Sequence, residues 1–193
     1  ALVTPFWKGD AAGAERHWRL VNRVGHPGVD HLHLFKHGAD DLAPVTFPKL
    51  RLGDIESRYP EAAKLPHPAG PNLCFVETVR LMREQGYSHF FWLEPDCIPT
   101  RAGWLQPFLD ALEAHPDAPV IGAGGGSVTA GVKHWKHHFA GCSLYSVGQL
   151  SRLDWNRFVT RELDISFDIW LTLNLGYIEL TEKDELNTND SII

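Results

Sequence analysis

Phe90-Phe91-Trp92-Leu93-Glu94-Pro95-Asp96-Cys97-Ile98-Pro99 is the stretch on which the reading of this chain turns. Its first half, extended back to Tyr87, is strongly apolar, the pattern of a strand near the centre of a sheet. Its second half is a turn stiffened by Pro95. An acid directly after four apolar residues is costly to bury alone, so Glu94 needs compensation. Two carboxylates this close can converge on a hard divalent cation. Such a cation can hold a diphosphate and neutralise charge on a departing nucleotide. Glu94 and Asp96 can equally do no more than cap the turn and the helix after it.

Working outward toward the C-terminus, Thr100 is placed to cap a helical segment carrying Trp104, Leu105, Phe108, Leu109 and Leu112. Pro107 belongs in its first turn. Val120 to Ala123 reads as a strand running into Gly124-Gly125-Gly126. That run is a flexible loop or a tight backbone approach and not a dinucleotide fingerprint, because nothing after it opens a helix. Phe139 to Val147 reads as a strand and Gln149 to Phe158 as a short helix. Ser166 can cap a helix with Ile169, Trp170, Leu173 and Leu175. Tyr177 to Leu180 makes a last strand, and residues 182–193 a polar tail.

Toward the N-terminus, Phe75, Val76, Val79 and Met82 fall at helical spacing, with Gly86 where a C-terminal cap belongs. Residues 38–71 form an irregular, loop-rich insertion with a short helix around Asp54 to Ala63. His31 to Phe35 alternates as a strand, placing His31 and His33 on one face as surface or sheet-flank histidines. A helix over Ala11 to Val24 carries Ala14, His17, Trp18 and Val21 on one side, after the strand Leu2 to Phe6. Strands and helices alternate, which implies an α/β domain spanning residues 1–193, with a mostly parallel mixed sheet flanked by helices.

At 193 residues the chain has room for one full core. Its 44% apolar and 22% charged residues are those of an ordinary globular protein. The net charge of −6 gives no bulk case for nucleic-acid binding. A local basic and histidine patch runs from Lys133 to His138, either a solvated edge or a loop contacting phosphate or acceptor. No apolar run approaches the ~18 residues of a transmembrane helix, and no signal pattern is present. Cys74, Cys97 and Cys142 have no CxxC spacing, which argues against a disulfide framework and a structural zinc. The expected setting is reducing and cytoplasmic.

The stretch from Phe90 to Pro99, followed by Gly103-Trp104-Leu105, resembles the DxD segment of GT-A glycosyltransferases, with Glu94-Pro95-Asp96 as the motif. Other segments fall in that family's order. Val3-Thr4-Pro5-Phe6 is similar to its first strand, and Gly70-Pro71-Asn72 to the opening of the helix before the DxD strand. Phe139 to Tyr145 is similar to the acceptor-side strand, and Phe167 to Ile178 to the helix bearing the second acidic site. The first motif acid here is Glu, and no His or Asp follows Tyr177 as a further metal ligand. Asp184 and the His134–His138 cluster are candidates for that role.

The resemblance implies a GT-A-like, Rossmann-like domain that moves a sugar from a nucleoside-diphosphate sugar to an acceptor hydroxyl. Glu94 and Asp96 would hold Mn²⁺ or Mg²⁺. Pro5, Phe6 and Trp7 would lie near the nucleotide base, and Asn72 near the ribose or phosphates. Asp168 would act as base or orient a substrate; Glu162 and Asp164 are rival bases. Asp168 also reads as a first-turn acid complementing the helix dipole. The acceptor is a glycan or lipid-linked sugar by default, with a hydroxymethylated DNA base as the minority option. The rival readings are a non-catalytic nucleotide- or sugar-binding protein on a degenerate scaffold, and a sugar-phosphate nucleotidyltransferase.

Overall fold

The structure, a computed structural model, describes residues 1–6, 11–25, 28–35, 49–51, 58–124, 128–130, 133–135, 139–175 and 178–179. Its elements in chain order begin with β1 (Leu2–Phe6), α1 (Ala11–Val24), β2 (His31–Phe35) and β3 (Lys49–Arg51). A short 3-10 turn (Ala62–Lys64) leads to α2 (Ala69–Glu84), β4 (His89–Trp92) and α3 (Gln106–Ala114). Then come β5 (Val120–Gly124), β6 (Val128–Ala130), β7 (Lys133–Trp135) and β8 (Phe139–Ser146). The chain continues through α4 (Val147–Leu150), α5 (Trp155–Arg161), α6 (Phe167–Asn174) and β9 (Ile178–Glu179).

One sheet runs in the order β3-β2-β1-β4-β8-β5-β9, and β6-β7 form a separate antiparallel pair. β3, β2, β1 and β4 are mutually parallel, as are β5 and β9. β8 is reversed between β4 and β5. The sheet is therefore mixed and mostly parallel, with β4 at its centre.

β4 shows why the sheet needs cover on both sides. Phe90 and Trp92 point into one buried cluster with Phe75, Tyr145, Phe158, Phe167 and Trp170. Phe91 and Leu93 point into the other, with Trp104, Phe108, Ile121 and Leu144. Each such side chain removed from water contributes about 1.5–3 kcal/mol. The first cluster is a run of aromatic contacts: Phe75 stacks on Phe167 at 4.1 Å, and Phe158 meets Trp170 at 4.6 Å with the rings tilted by 37°.

Several boundaries differ from the sequence reading, each for a local reason. Residues 38–71 contain a strand, β3, registered against β2 from His33–Lys49 to Phe35–Arg51. Thr100 caps no helix: a turn with Gly103 at φ 75° seats Trp104 and Leu105 first, and α3 starts after Leu105 with Pro107 in its first turn. Residues 149–158 hold two short helices instead of one, because two caps are present. Ser146 accepts from the Gln149 amide at 3.4 Å, and Asp154 accepts from the Arg157 amide at 3.0 Å. Gly86 ends α2 as expected, at φ 77°, with Gly86 N–H bonded to Arg83 C=O and Tyr87 N–H to Met82 C=O.

His31 is not a surface residue. It is 7% exposed, bonded through Nε2 to Thr4 Oγ1 at 3.1 Å and set against the Trp18 ring. The side chain of His33 lies outside the described residues, as does the polar tail 182–193.

Candidate active site

The site grows from the end of β4. Leu93 N–H donates to Val3 C=O at 2.8 Å, which ties the strand end to β1. The chain then turns: Cys97 N–H donates to Glu94 C=O at 2.9 Å, closing a four-residue turn with Pro95 at its second position. Strand alternation carries Glu94 onto the face of Phe90 and Trp92. Its carboxylate meets Gly141 of β8 there. A Cβ on Gly141 would stand 3.2 Å from Glu94 Oε1 and 3.6 Å from the Phe167 ring, so only a glycine leaves this space.

Asp168 enters from the first turn of α6, its Oδ1 accepting from the Ile169 amide at 2.8 Å. Burial raises the Glu94 carboxyl above its ordinary value, and the charges of Asp96 and Asp168 raise it further. The Trp92 indole N–H acts weakly the other way, although its nitrogen is buried without a hydrogen bond of ordinary geometry. The structure thus gathers Glu94, Asp96 and Asp168 into one acidic cluster at the carboxyl end of a central strand, where open α/β sheets bind ligands.

A second group of donors lies beneath the turn. Glu94 N–H donates to Cys142 Sγ at 3.4 Å. Ligand atoms of Glu94, Cys97 and Cys142 lie within 4.8 Å of one another, and all three cysteines are free thiols. His17 of α1, fully buried, holds the turn from the other side: its Nε2–H donates to Cys97 C=O at 3.0 Å. Burial lowers the His17 pKa, partly offset by that bond and by Asp96.

Other expected site residues stand elsewhere. Asn72 is fully buried, and its amide donates to Leu163 C=O at 3.1 Å and Ile165 C=O at 2.8 Å. Its Oδ1 accepts from Phe167 N–H at 2.9 Å. Asn72 therefore clamps the approach to α6 and faces no ribose or phosphate. Phe6 turns into the interior at 4% exposure, so it displays no ring to a nucleotide base. Pro5 is half-buried in β1, opposite Leu34. Trp7 lies outside the described residues.

Glu162 does not join the cluster either. It accepts from the Trp170 indole and from Arg157 at 2.8 Å, and these bonds lower its pKa. Asp164 is exposed on the following loop and is not among the charges acting on Glu94. In the Lys133–His138 patch, Lys133 to Trp135 form β7; their side chains and residues 136–138 lie outside the described residues, as does Asp184. Gly141, Cys97, Cys142 and His17 are what the sequence reading of the site missed.

A cavity of about 560 Å³ opens at the opposite end of the sheet, between Arg83, His89, Val147 and Arg152. It lies at the start of β4, away from the acidic cluster, and plays no part in it.

No protein-family model and no curated protein matches the sequence. Solved structures match it in shape. One is the galactosyltransferase LgtC in complex with donor and acceptor sugar analogs: 12% identity, TM-score 0.53, over 98% of this chain and 70% of that one. A second is the bifunctional glycosyltransferase WbbM: 10% identity, TM-score 0.57, over 93% of this chain and 38% of that one. A third is a CMP:2-keto-3-deoxy-manno-octonic acid synthetase complexed with CTP: 11% identity, TM-score 0.52, over 99% of this chain and 86% of that one. The identities are too low to carry an activity across, but the architecture is shared: this chain has the GT-A-type, Rossmann-like α/β fold seen in these glycosyltransferases and in the synthetase.

Proposed function

We propose that the chain is a cation-dependent glycosyltransferase that moves a sugar from a nucleoside-diphosphate sugar to an acceptor hydroxyl. The observation that carries this reading is the placement of Glu94, Asp96 and Asp168 near the end of β4, where burial and the charges of Asp96 and Asp168 raise the Glu94 carboxyl. A divalent cation offsets the mutual repulsion of carboxylates placed in this way.

The carboxylate oxygens of Glu94 and Asp96 fit a hard cation, Mn²⁺ or Mg²⁺. When bound, that ion would hold the diphosphate and offset charge on the leaving nucleotide. The chain's own residues supply the rest. Gly141 leaves room for the Glu94 carboxylate, and the Cys97–Glu94 turn bond with His17 behind it fixes the loop that carries Asp96. Asp168, anchored at Ile169 N–H, faces the same cluster from α6. In an inverting reaction its carboxylate takes the proton as the acceptor oxygen bonds to the anomeric carbon and the bond to phosphate breaks. In a retaining reaction it orients the acceptor or donor.

The test is a panel of donors, UDP-glucose and GDP-mannose among them, assayed for Mn²⁺-dependent binding and slow hydrolysis. We expect binding in the wild type and its loss in Asp96→Ala. Unchanged Mn²⁺-dependent binding in that variant contradicts the site assignment. Binding without turnover against any acceptor favours a binding protein on this scaffold. Release of pyrophosphate from a nucleoside triphosphate and a sugar favours a nucleotidyltransferase, the fold being shared with the CTP-bound synthetase. Salt-sensitive DNA binding selects the hydroxymethylated-base acceptor, and its absence excludes it.

A further inference from the structure

We infer that Glu94, Cys97 and Cys142 form a second, thiophilic cation site that takes a Zn²⁺-class ion with two sulfur donors and one oxygen donor. The two thiols are remote in sequence, so spacing along the chain conceals them. The antiparallel register of β4 with β8, which sets Phe91 opposite Leu144, carries Cys142 to the end of β4 where the turn delivers Cys97. All three donor atoms lie within 4.8 Å of one another.

A tetrahedral zinc with Zn–S of ~2.3 Å and Zn–O of ~2.1 Å holds its donors roughly 3.5 Å apart. Small side-chain rotations of Cys97 and Glu94, both half-buried, close the remaining gap, while Cys142 stays fixed in the core. The backbone is set for that chemistry. Glu94 N–H already donates to Cys142 Sγ at 3.4 Å, a contact that strengthens when the sulfur becomes thiolate. His17 pins the Cys97 carbonyl at 3.0 Å. With three protein donors among the described residues, a fourth position would be left for water or a substrate oxygen.

Thiolate donors select zinc, cobalt and cadmium over magnesium or manganese. Glu94 is common to this donor set and to the oxygen set of Glu94 and Asp96, so one carboxylate cannot serve both ions in full. The thiophilic site stands on its own donor atoms. Its consequence, that Zn²⁺ competes with Mn²⁺ for the donor site, rests on the function proposed above.

The probe is Co²⁺, titrated into the full chain after reduction, with free thiols counted first. The expected result is one equivalent bound, with thiolate-to-cobalt charge transfer in the near ultraviolet and tetrahedral bands in the visible, both displaced by Zn²⁺. Cys97→Ser is expected to lose these bands and at least about tenfold in Zn²⁺ affinity. Cys74→Ser keeps both. Cys142→Ser, at a buried position, is read only alongside its circular dichroism. Absence of charge transfer in the reduced wild type overturns the inference, and so does its persistence in folded Cys97→Ser.

Asp96→Ala separates this idea from the function on which its consequence depends. That variant keeps the cobalt–thiolate bands while losing Mn²⁺-dependent nucleotide binding. Bands in a wild type that binds no nucleotide leave the thiophilic site standing and remove the donor reading. Nucleotide binding without bands does the reverse.

Discussion

Glu94 sits just past the last β1–β4 hydrogen bond, its Oε1 3.2 Å from where a Cβ on Gly141 would stand. Its surroundings penalise a charge through burial and through Asp96 and Asp168. Two outcomes follow from that geometry. In Gly141→Ala the new methyl displaces the Glu94 carboxylate, a flexible end that can swing away. Stability then drops by about 1 kcal/mol, the low end of overpacking costs, while cation-dependent nucleotide binding weakens by at least about tenfold. Chemical denaturation alongside calorimetric nucleotide titration checks both halves. In Glu94→Gln the like-charge repulsion is removed, so the cation-free protein gains about 1 kcal/mol at neutral pH and loses cation binding. The Glu-x-Asp pattern after an apolar strand was legible in the sequence because all its parts are adjacent. Gly141, Cys142 and His17 were not, because the β4–β8 pairing and the docking of α1 bring them there.

The segment that leads into α6 depends on a residue far from it in the chain. Asn72 of α2 gives both amide hydrogens to Leu163 and Ile165 and takes one from Phe167, so α2 sets the entry of the helix that presents Asp168. Asn72→Ala takes this partner from the Leu163 and Ile165 carbonyls and the Phe167 amide and is expected to cost about 2–4 kcal/mol, measured by denaturant unfolding. Because Asn72 positions α6 without touching a nucleotide, the folded fraction of that variant keeps Mn²⁺-dependent nucleotide affinity and loses turnover. A fall in nucleotide affinity equal to that of Asp96→Ala would return Asn72 to the ligand. The sequence placed Asn72 correctly at the start of a helix. It could not say which way the side chain pointed, since an Asn suits a phosphate and a buried turn equally well.

The molecule as a whole is a sheet with one reversed strand, β8, between parallel neighbours. Alternating apolar runs and helical spacings announced a layered α/β fold, and the central place of β4 followed from its unbroken apolar run. Three short strands, β3 in the proline-rich stretch and the β6-β7 pair after the glycines, have three residues each and lack a periodic pattern long enough to count. Arg58 and Tyr59 are held to α2 by a buried carboxylate. Glu77, 1% exposed, accepts from Arg58, Arg80 and the Tyr59 hydroxyl, the last at 2.8 Å. Glu77→Ala breaks this set and is expected to cost about 3 kcal/mol. Burial and Glu77 together push the Tyr59 hydroxyl up to about 12 from 10.0. The folded chain therefore keeps a proton that the unfolded chain releases, and stability is lost as pH rises from 10.0 through about 12. Tyr59→Phe lacks that part of the alkaline loss, which unfolding curves at the two ends of the window reveal.

Crystals grown with Mn²⁺ and a nucleoside diphosphate read out whether Glu94 and Asp96 hold the cation proposed for this site. A manganese anomalous peak is expected beside Glu94 or Asp96, held directly or through water and in contact with the diphosphate, with Asp168 facing the same pocket. A well-ordered nucleotide bound elsewhere, or manganese bound away from both carboxylates, would contradict it.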